Sequence, residues 1–281
     1  MILGIDLGGT NLRIGRIEEG TVRKKVSVPG PAALSLNDSL NYLKDEIAKM
    51  LTSDAEGIGI GVPSVVDASK GIVYNATNIP SWEEVHLKDI LQCEFNLPVF
   101  VNNDCNCFIL GEKEYGQGKS YKDIVGVTLG TGVGAGLIID NKLYNGRNTG
   151  AGEICSLPYL DATLEQYCSS EFFLKHYRIT GEEAARKAYA GDPAAFKIWE
   201  EFGRHIGNLM QTILYAYDPE LIILGGGISG AYSLFESQMR NTLMQFPYPE
   251  TIKNIEIKIS DNKDASLFGA AALVSSNMSV N

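Results

Sequence analysis

Residues 2–10 read ILGIDLGGT, and residues 124–132 read IVGVTLGTG. Each is an apolar run of strand length that ends in a Gly/Thr turn. A second apolar run follows each, LRIGRI at 12–17 and GAGLII at 134–139. Isoleucine, glycine and Leu-Gly recur at the same offsets in the two copies. Strand, turn and strand written twice in one chain predict a duplicated fold. After the first copy, Glu19-Gly20 marks a tight turn and residues 21–28 form another apolar-polar run, so the opening is a β-meander. A Rossmann or Walker loop needs a helix directly after its glycines. Neither G-x-G-x-x-G nor G-x-x-x-x-G-K-[ST] stands at this opening.

Away from these stretches, Leu36, Leu40, Leu43, Ile47 and Met50/Leu51 keep helical spacing, with Asn37/Asp38 as cap candidates. GIGIGV at 57–62 and PVFV at 98–101 read as strands, and a helix is expected just after Asp104. The first half is thus a mixed layer of βββαβαβα type. In the second half, one helix is expected over 164–177. A longer one runs from Pro193 to Tyr217 along Phe196, Trp199, Phe202, Ile206, Leu209 and Ile213, and Asp218-Pro219 ends it. LIIL at 221–224 reads as a buried strand opening onto Gly225-Gly226-Gly227, and residues 264–275 as a closing helix. Only the tail SSNMSVN looks like linker.

Bulk composition narrows the function. The chain has 281 residues, 44% hydrophobic and 21% charged, enough to bury a core in one large domain or two modest ones. A net charge of −10 disfavours nucleic-acid binding by phosphate neutralisation. No 18-residue apolar run is present, and MILGIDLGGT lacks a basic region and a cleavage site, so neither a membrane span nor a signal peptide is expected. Cys93, Cys105, Cys107, Cys155 and Cys168 are scattered and odd in number. They read as small buried hydrophobes in a reducing cytoplasm rather than a disulfide framework or zinc site.

Phosphoryl transfer needs donors around phosphates, a magnesium ion and a base near the attacking hydroxyl. Glycine turns present backbone N–H groups at close approach. Two such turns occur, Asp6-Leu-Gly-Gly-Thr10 and Gly130-Thr-Gly-Val-Gly134. Either alone reads as a tight hairpin. Together, with Asp6 ending the first strand, they read as phosphate turns, and Asp6 as the magnesium residue, acting through water. Asn102-Asn103-Asp104 follows the strand PVFV, where α/β sheets place ligands. General base and helix N-cap both fit Asp104 on spacing alone. Gly225-Gly226-Gly227 suits either the passage of adenine or a strand-to-helix turn. Glu153 and Glu165, taken alone, read as surface glutamates. His86, His176 and His205 show no catalytic spacing and read as structural or exposed.

Together these residues resemble the ROK family of bacterial sugar kinases and sugar-responsive repressors, within the actin/hexokinase superfamily. The resemblance spans nearly the whole chain. It rests on GIDLGGTN (4–11), GIGIGVPSVVD (57–67), NATNIPSW (75–82), VFVNNDCNCFILGE (99–112), LGTGVGAGLIIDNKLYNG (129–146), LGGGIS (224–229) and LFGAA (267–271). It implies an α/β, duplicated actin/hexokinase-like (ribonuclease H-like) two-domain fold with an interdomain cleft. Domains are expected at 1–117 and 118–281, with the last helix packing back on the first. Asp104 is then the base, with ATP and Mg2+ as cofactors. Nucleotide contacts fall on Asp6, Gly8, Gly9, Thr10, Asn11, Gly130, Thr131, Gly132, Gly134, Gly225, Gly226 and Gly227. Sugar contacts fall on Ser64, which replaces the usual glycine, and on Asn78, Asn103, Asp104, Glu153 and Glu165. Carboxylates and amides suit vicinal hydroxyls, which both donate and accept.

The pattern departs from the family between Glu153 and Glu165. Cys155-Ser156 stands where Gly-His is usual, the zinc-binding cysteine cluster is absent, and Thr163 takes the place of its last cysteine. No structural zinc is therefore expected, and the usual histidine contact with the sugar is missing. The resulting expectation is a hexose or N-acetylhexosamine kinase acting at O6, with a homodimer as an option from the family. A repressor would need a helix-turn-helix ahead of the first strand, which starts at Met1. A non-catalytic sugar sensor is the remaining alternative, against which the retained Asp104 and both turns count.

Overall fold

The computed structural model describes residues 1–147 and 149–278. The chain opens with β1 (Ile2–Leu7), β2 (Asn11–Glu18), β3 (Thr21–Pro29), α1 (Leu36–Met50) and β4 (Gly57–Val62). Three short strands follow, β5 (Val65–Asp67), β6 (Ile72–Tyr74) and β7 (Glu84–Val85), then α2 (Leu87–Phe95), β8 (Val99–Asn103) and α3 (Asp104–Tyr115). The repeat opens with β9 (Ile124–Leu129), β10 (Val133–Ile139) and β11 (Lys142–Leu143). A small hairpin, β12 (Pro158–Tyr159) with β13 (Ala162–Thr163), precedes α4 (Leu164–Cys168), α5 (Ser170–Tyr177), α6 (Gly181–Tyr189) and α7 (Pro193–Tyr217). The chain closes with β14 (Leu221–Gly225), α8 (Tyr232–Leu243), α9 (Pro249–Asn254), β15 (Glu256–Ile259) and α10 (Ala265–Met278). The tail from Ser279 to Asn281 lies outside the described residues.

The two sheets repeat one plan. Their strand orders are β3-β2-β1-β4-β8 and β11-β10-β9-β14-β15. In each, the strand that begins the repeated sequence is central, the hairpin strands lie on one side and two later strands on the other. β1, β4 and β8 run parallel, as do β9, β14 and β15. Parallel strands are buried on both faces, which is why GIGIGV and LIIL read as unbroken apolar runs.

The chain folds into two compact units that interleave in sequence. The first holds Met1–Ser120, Gly136–Ala151 and the stretch from Asp261, and the second Tyr121–Ala135 and Gly152–Ser260. This differs from a single boundary at 117/118, because β10 passes from the second unit into the first; α10 joins the first unit, as the sequence reading expected of the last helix. In the first unit, α10 lies against β1, β4 and α3. Glycines make the approach that close: a Cβ on Gly59 would sit 1.7 Å from the Ala270 carbonyl oxygen, and one on Gly111 1.9 Å from that of Ala265. In the second unit, Phe172, Phe173, Trp199, Phe202 and Phe235 form a fully buried aromatic core between α5, α7 and α8.

Several boundaries differ from the sequence reading. Ser35 caps α1, its hydroxyl accepting from the Asp38 N–H, so Asn37 and Asp38 lie inside the helix. The strand expected at 98–101 extends to Asn103. The single helix expected over 164–177 is two, broken at Ser169.

Candidate active site

In the first unit, strand register sets Asp6 beside Gly61 and Gly61 beside Asn102, one row near the carboxyl ends of β1, β4 and β8. Ligands of α/β sheets bind at that end. α3 starts directly after β8, and its cap is Asn103: Oδ1 accepts from Cys105 N at 2.8 Å and Asn106 N at 3.2 Å. Asp104 is therefore not needed as the cap and stands as the first helical residue. Its Oδ1 accepts from Cys105 N at 2.8 Å. Burial pushes the Asp104 carboxyl up to about 7, the Asp6 carboxylate adds to the rise, and the Cys105 N–H opposes it. Two carboxyls thus face a common region, one of them poised to exchange a proton near neutral pH.

Asp6 also meets a partner that the sequence reading missed. Arg13, seven residues on and opposite Asp6 across the β1–β2 pair, donates from Nε to Asp6 Oδ2 at 3.0 Å and from Nη2 to the same oxygen. Its Nη1 reaches the Lys263 carbonyl at 3.0 Å. The period-two facing of the hairpin was the available signal for this pair. Asp6, Gly8, Gly9, Thr10, Asn11, Arg13, Ser27 and Asn78 line a pocket of about 470 Å³. Thr10, Asn11 and Asn78 are exposed there. A single carboxylate on such a pocket fits magnesium, which keeps most of its waters and takes one or two carboxylates.

Behind Asp104 lies an amide network that the motif reading also passed over. Asn102 Oδ1 accepts from Asn103 N at 2.8 Å and Asn106 Nδ2 at 3.0 Å, and both Asn102 and Asn106 donate to Asn145 Oδ1, at 3.0 and 3.2 Å. It fixes where β8 ends and α3 begins, and so where Asp104 stands. Asn103, besides capping, donates from Nδ2 to the Ser64 carbonyl at 3.2 Å, leaving one N–H for a ligand. Ser64 is buried, with its hydroxyl turned to the Tyr74 carbonyl.

In the second unit, β9 and β14 are parallel neighbours, and both run into glycine turns. Around the first turn, Gly130 N donates to Gly132 O at 3.0 Å. A Cβ on Gly130 or on Gly227 would meet nothing within 4 Å, so both stand beside open space. Gly226 differs: its φ is +83° and a Cβ would lie 2.3 Å from the Leu129 carbonyl oxygen. Its glycine is explained by the turn alone, whereas Gly227 leaves room for a ligand. Gly225 ends β14 and is buried, and Gly134 sits in β10. Glu165, on α4, places Oε1 3.1 Å from Val133 N. Partial desolvation pushes the Glu153 carboxyl up, with the Glu165 carboxylate adding to it. Two acids thus stand close in this unit.

The ROK family sequence model matches residues 2–277. The chain belongs to the ROK family. A glucokinase of Thermotoga maritima is 29% identical, over 97% of this chain and 96% of its own. A xylose repressor of Caldicellulosiruptor bescii is 31% identical over 79% of this chain and 63% of its own, so the family includes repressors as well as kinases. Among solved structures, a ROK family glucokinase from Streptomyces griseus, in complex with glucose and AMPPNP, superposes with a TM-score of 0.85 at 27% identity, covering 98% of this chain and 99% of that one. The fold is the α/β actin/hexokinase-like fold of the ROK sugar kinases, and the two kinase relatives cover 97% and 98% of this chain.

Between Glu153 and Glu165 the one cysteine is Cys155. Burial, with Glu165 and Glu153 adding, pushes the Cys155 thiol up to about 12. Thr163 supplies no thiol. Among the described residues, no group of three or more His, Cys, Asp or Glu side chains is placed to hold a metal ion. Side chains of α4 and α7 bond to the β12–β13 hairpin. Tyr159 Oη and His205 Nδ1 are 3.0 Å apart, and Tyr167 donates to Asp161. His205 is buried on α7, and burial pulls it down to about 4, keeping it neutral. His86 and His176 are exposed.

Proposed function

We propose that this ROK protein is an ATP-dependent kinase that phosphorylates a hydroxyl of a hexose or N-acetylhexosamine, with O6 as the acceptor. The observation that carries this reading is Asp104, raised to about 7 beside Asp6 at the carboxyl ends of parallel strands. A base with that value is substantially deprotonated at neutral pH and still basic enough to take a hydroxyl proton. In this reading Asp104 accepts the proton as the sugar oxygen attacks phosphorus. The sugar contacts that the family resemblance implies are Asn78, Asn103, Glu153 and Glu165.

The Gly8-Gly9-Thr10 and Gly130–Gly134 turns donate backbone N–H groups to phosphate oxygens, and Gly227 borders the adenosine. Asp6 would hold magnesium through water, and magnesium would supply neutralisation of the phosphate charge. Arg13, donating to Asp6 from Nε and Nη2, orients its carboxylate. A coupled ADP assay over glucose, mannose, fructose, allose and the N-acetylhexosamines tests the activity. Phosphorus NMR of the product identifies the oxygen. Hexose-independent ADP release across the whole panel would refute the proposal.

A weakly active or non-catalytic sugar sensor is the second reading. Cys155-Ser156 favours it, since the usual sugar-binding histidine is replaced. Calorimetric sugar binding without turnover would identify that case.

A further inference from the structure

Three hydrogen bonds within the second unit join the end of the Glu165 segment to the Gly130–Gly134 turn. Glu165 Oε1 accepts from Val133 N at 3.1 Å. Ser170 N donates to Gly130 O at 2.9 Å, and Ser170 Oγ to Thr131 O at 3.3 Å. All three come from residues 165–170, the stretch in which a single expected helix is broken into α4 and α5. The break has its own cap: Ser169 Oγ accepts from Glu171 N at 3.2 Å. Ser170 is thereby the first residue of α5, and its N–H, without an intrahelical acceptor at a helix start, is given to the turn.

The turn has two distinct sides. A Cβ on Gly132 would lie 2.4 Å from Glu165 Oε1, so the carboxylate fills the space a side chain would take. Gly130 meets nothing within 4 Å and is the side a ligand can approach. Glu165 backs the turn and leaves its other side clear.

We propose that Glu165, with Ser170, is a positioning residue that clamps the second phosphate turn, and that it couples sugar binding to nucleotide binding. The coupling rests on the reading of the turn as a phosphate site and of Glu165 as a sugar ligand; the clamp does not. One oxygen of Glu165 holds the turn, and the other is available to a hydroxyl. A sugar that orders Glu165 also orders Val133 and Gly132, and by linkage a bound nucleotide strengthens sugar binding by the same factor.

The test compares wild type with Glu165→Gln, Glu165→Ala and Gly132→Ala, each checked for fold by circular dichroism. Amide exchange at Val133 is measured without ligand, and AMPPNP with magnesium is titrated with and without the accepted sugar. A glutamine oxygen still accepts the Val133 N–H, so Glu165→Gln should keep its protection. Glu165→Ala and Gly132→Ala should lose it, bind AMPPNP more weakly by on the order of fivefold, and lose the sugar's effect on that affinity. Gly132→Ala, which only crowds a flexible side chain, serves if Glu165→Ala does not fold. Unchanged Val133 exchange in a folded Glu165→Ala protein would overturn the clamp. Wild-type protein that binds no AMPPNP would instead refute the phosphate reading, and the coupling with it.

Discussion

At Asp104, burial and a neighbouring acid act in the same direction, and both consequences can be measured. Its carboxyl stands near 7 in the folded protein against an ordinary 3.8. The folded state therefore holds the proton more tightly than the unfolded state, and this group lowers stability as pH rises from the second value to the first. Asp104→Asn should match wild type in Tm near pH ~4 and exceed it near pH ~8, by thermal denaturation; a lower Tm at the higher pH would contradict the shift. The Asp6 carboxylate contributes to the rise. Asp6→Asn should therefore move the Asp104 titration to lower pH, read by carbon NMR of the carboxyl, and an unmoved titration would show that burial acts alone. Neither effect was legible in the sequence. NND after a strand suited base and cap equally, and the Asn103 bonds to Cys105 and Asn106 show that the cap is Asn103.

Among the elements, the three glycines after β14 divide by what surrounds them. Gly226→Ala meets the Leu129 carbonyl in a left-handed backbone and should cost about 1–3 kcal/mol. Gly227→Ala faces open space and should leave stability within about 0.5 kcal/mol while weakening nucleotide binding. Denaturant melts and AMPPNP titration separate the two; equal destabilisation would mean that Gly227 is also a turn residue. Elements with a local signal were readable: the meander through Glu19-Gly20, whose φ values are +47° and +70°, and the long helix between Pro193 and Asp218. α6 carried a signal that was passed over, Thr180 capping with Glu183 three residues on. The strands β5, β6 and β7 are two or three residues long, too short for a period to show. The α4–α5 break answers to a contact with residues 130 and 131, some forty positions away, which no local pattern encodes.

For the whole molecule, the repeated strand order is the structural counterpart of the repeated sequence, and each sheet delivers its glycine turn from the central strand. The return of residues 136–151 to the first unit was not readable, because strand and helix patterns say where elements begin and not which core they join; the last helix joining that unit was expected from the family resemblance. No metal-ligand cluster occurs among the described residues, so a strong chelator should leave Tm unchanged within about 1 °C; a fall of several degrees would reveal a structural metal. No helix among the described residues is long and apolar enough to cross a membrane. What the chain does as a whole is decided by hexose-stimulated ADP release, followed as kcat/KM from about pH 5 to about pH 9 in wild type and Asp104→Asn. A hexose kinase with Asp104 as its base should show kcat/KM rising through about 7 in wild type. The variant should lack that rise and fall at least roughly 100-fold in kcat. A folded Asp104→Asn protein with near wild-type turnover and the same pH profile would contradict it.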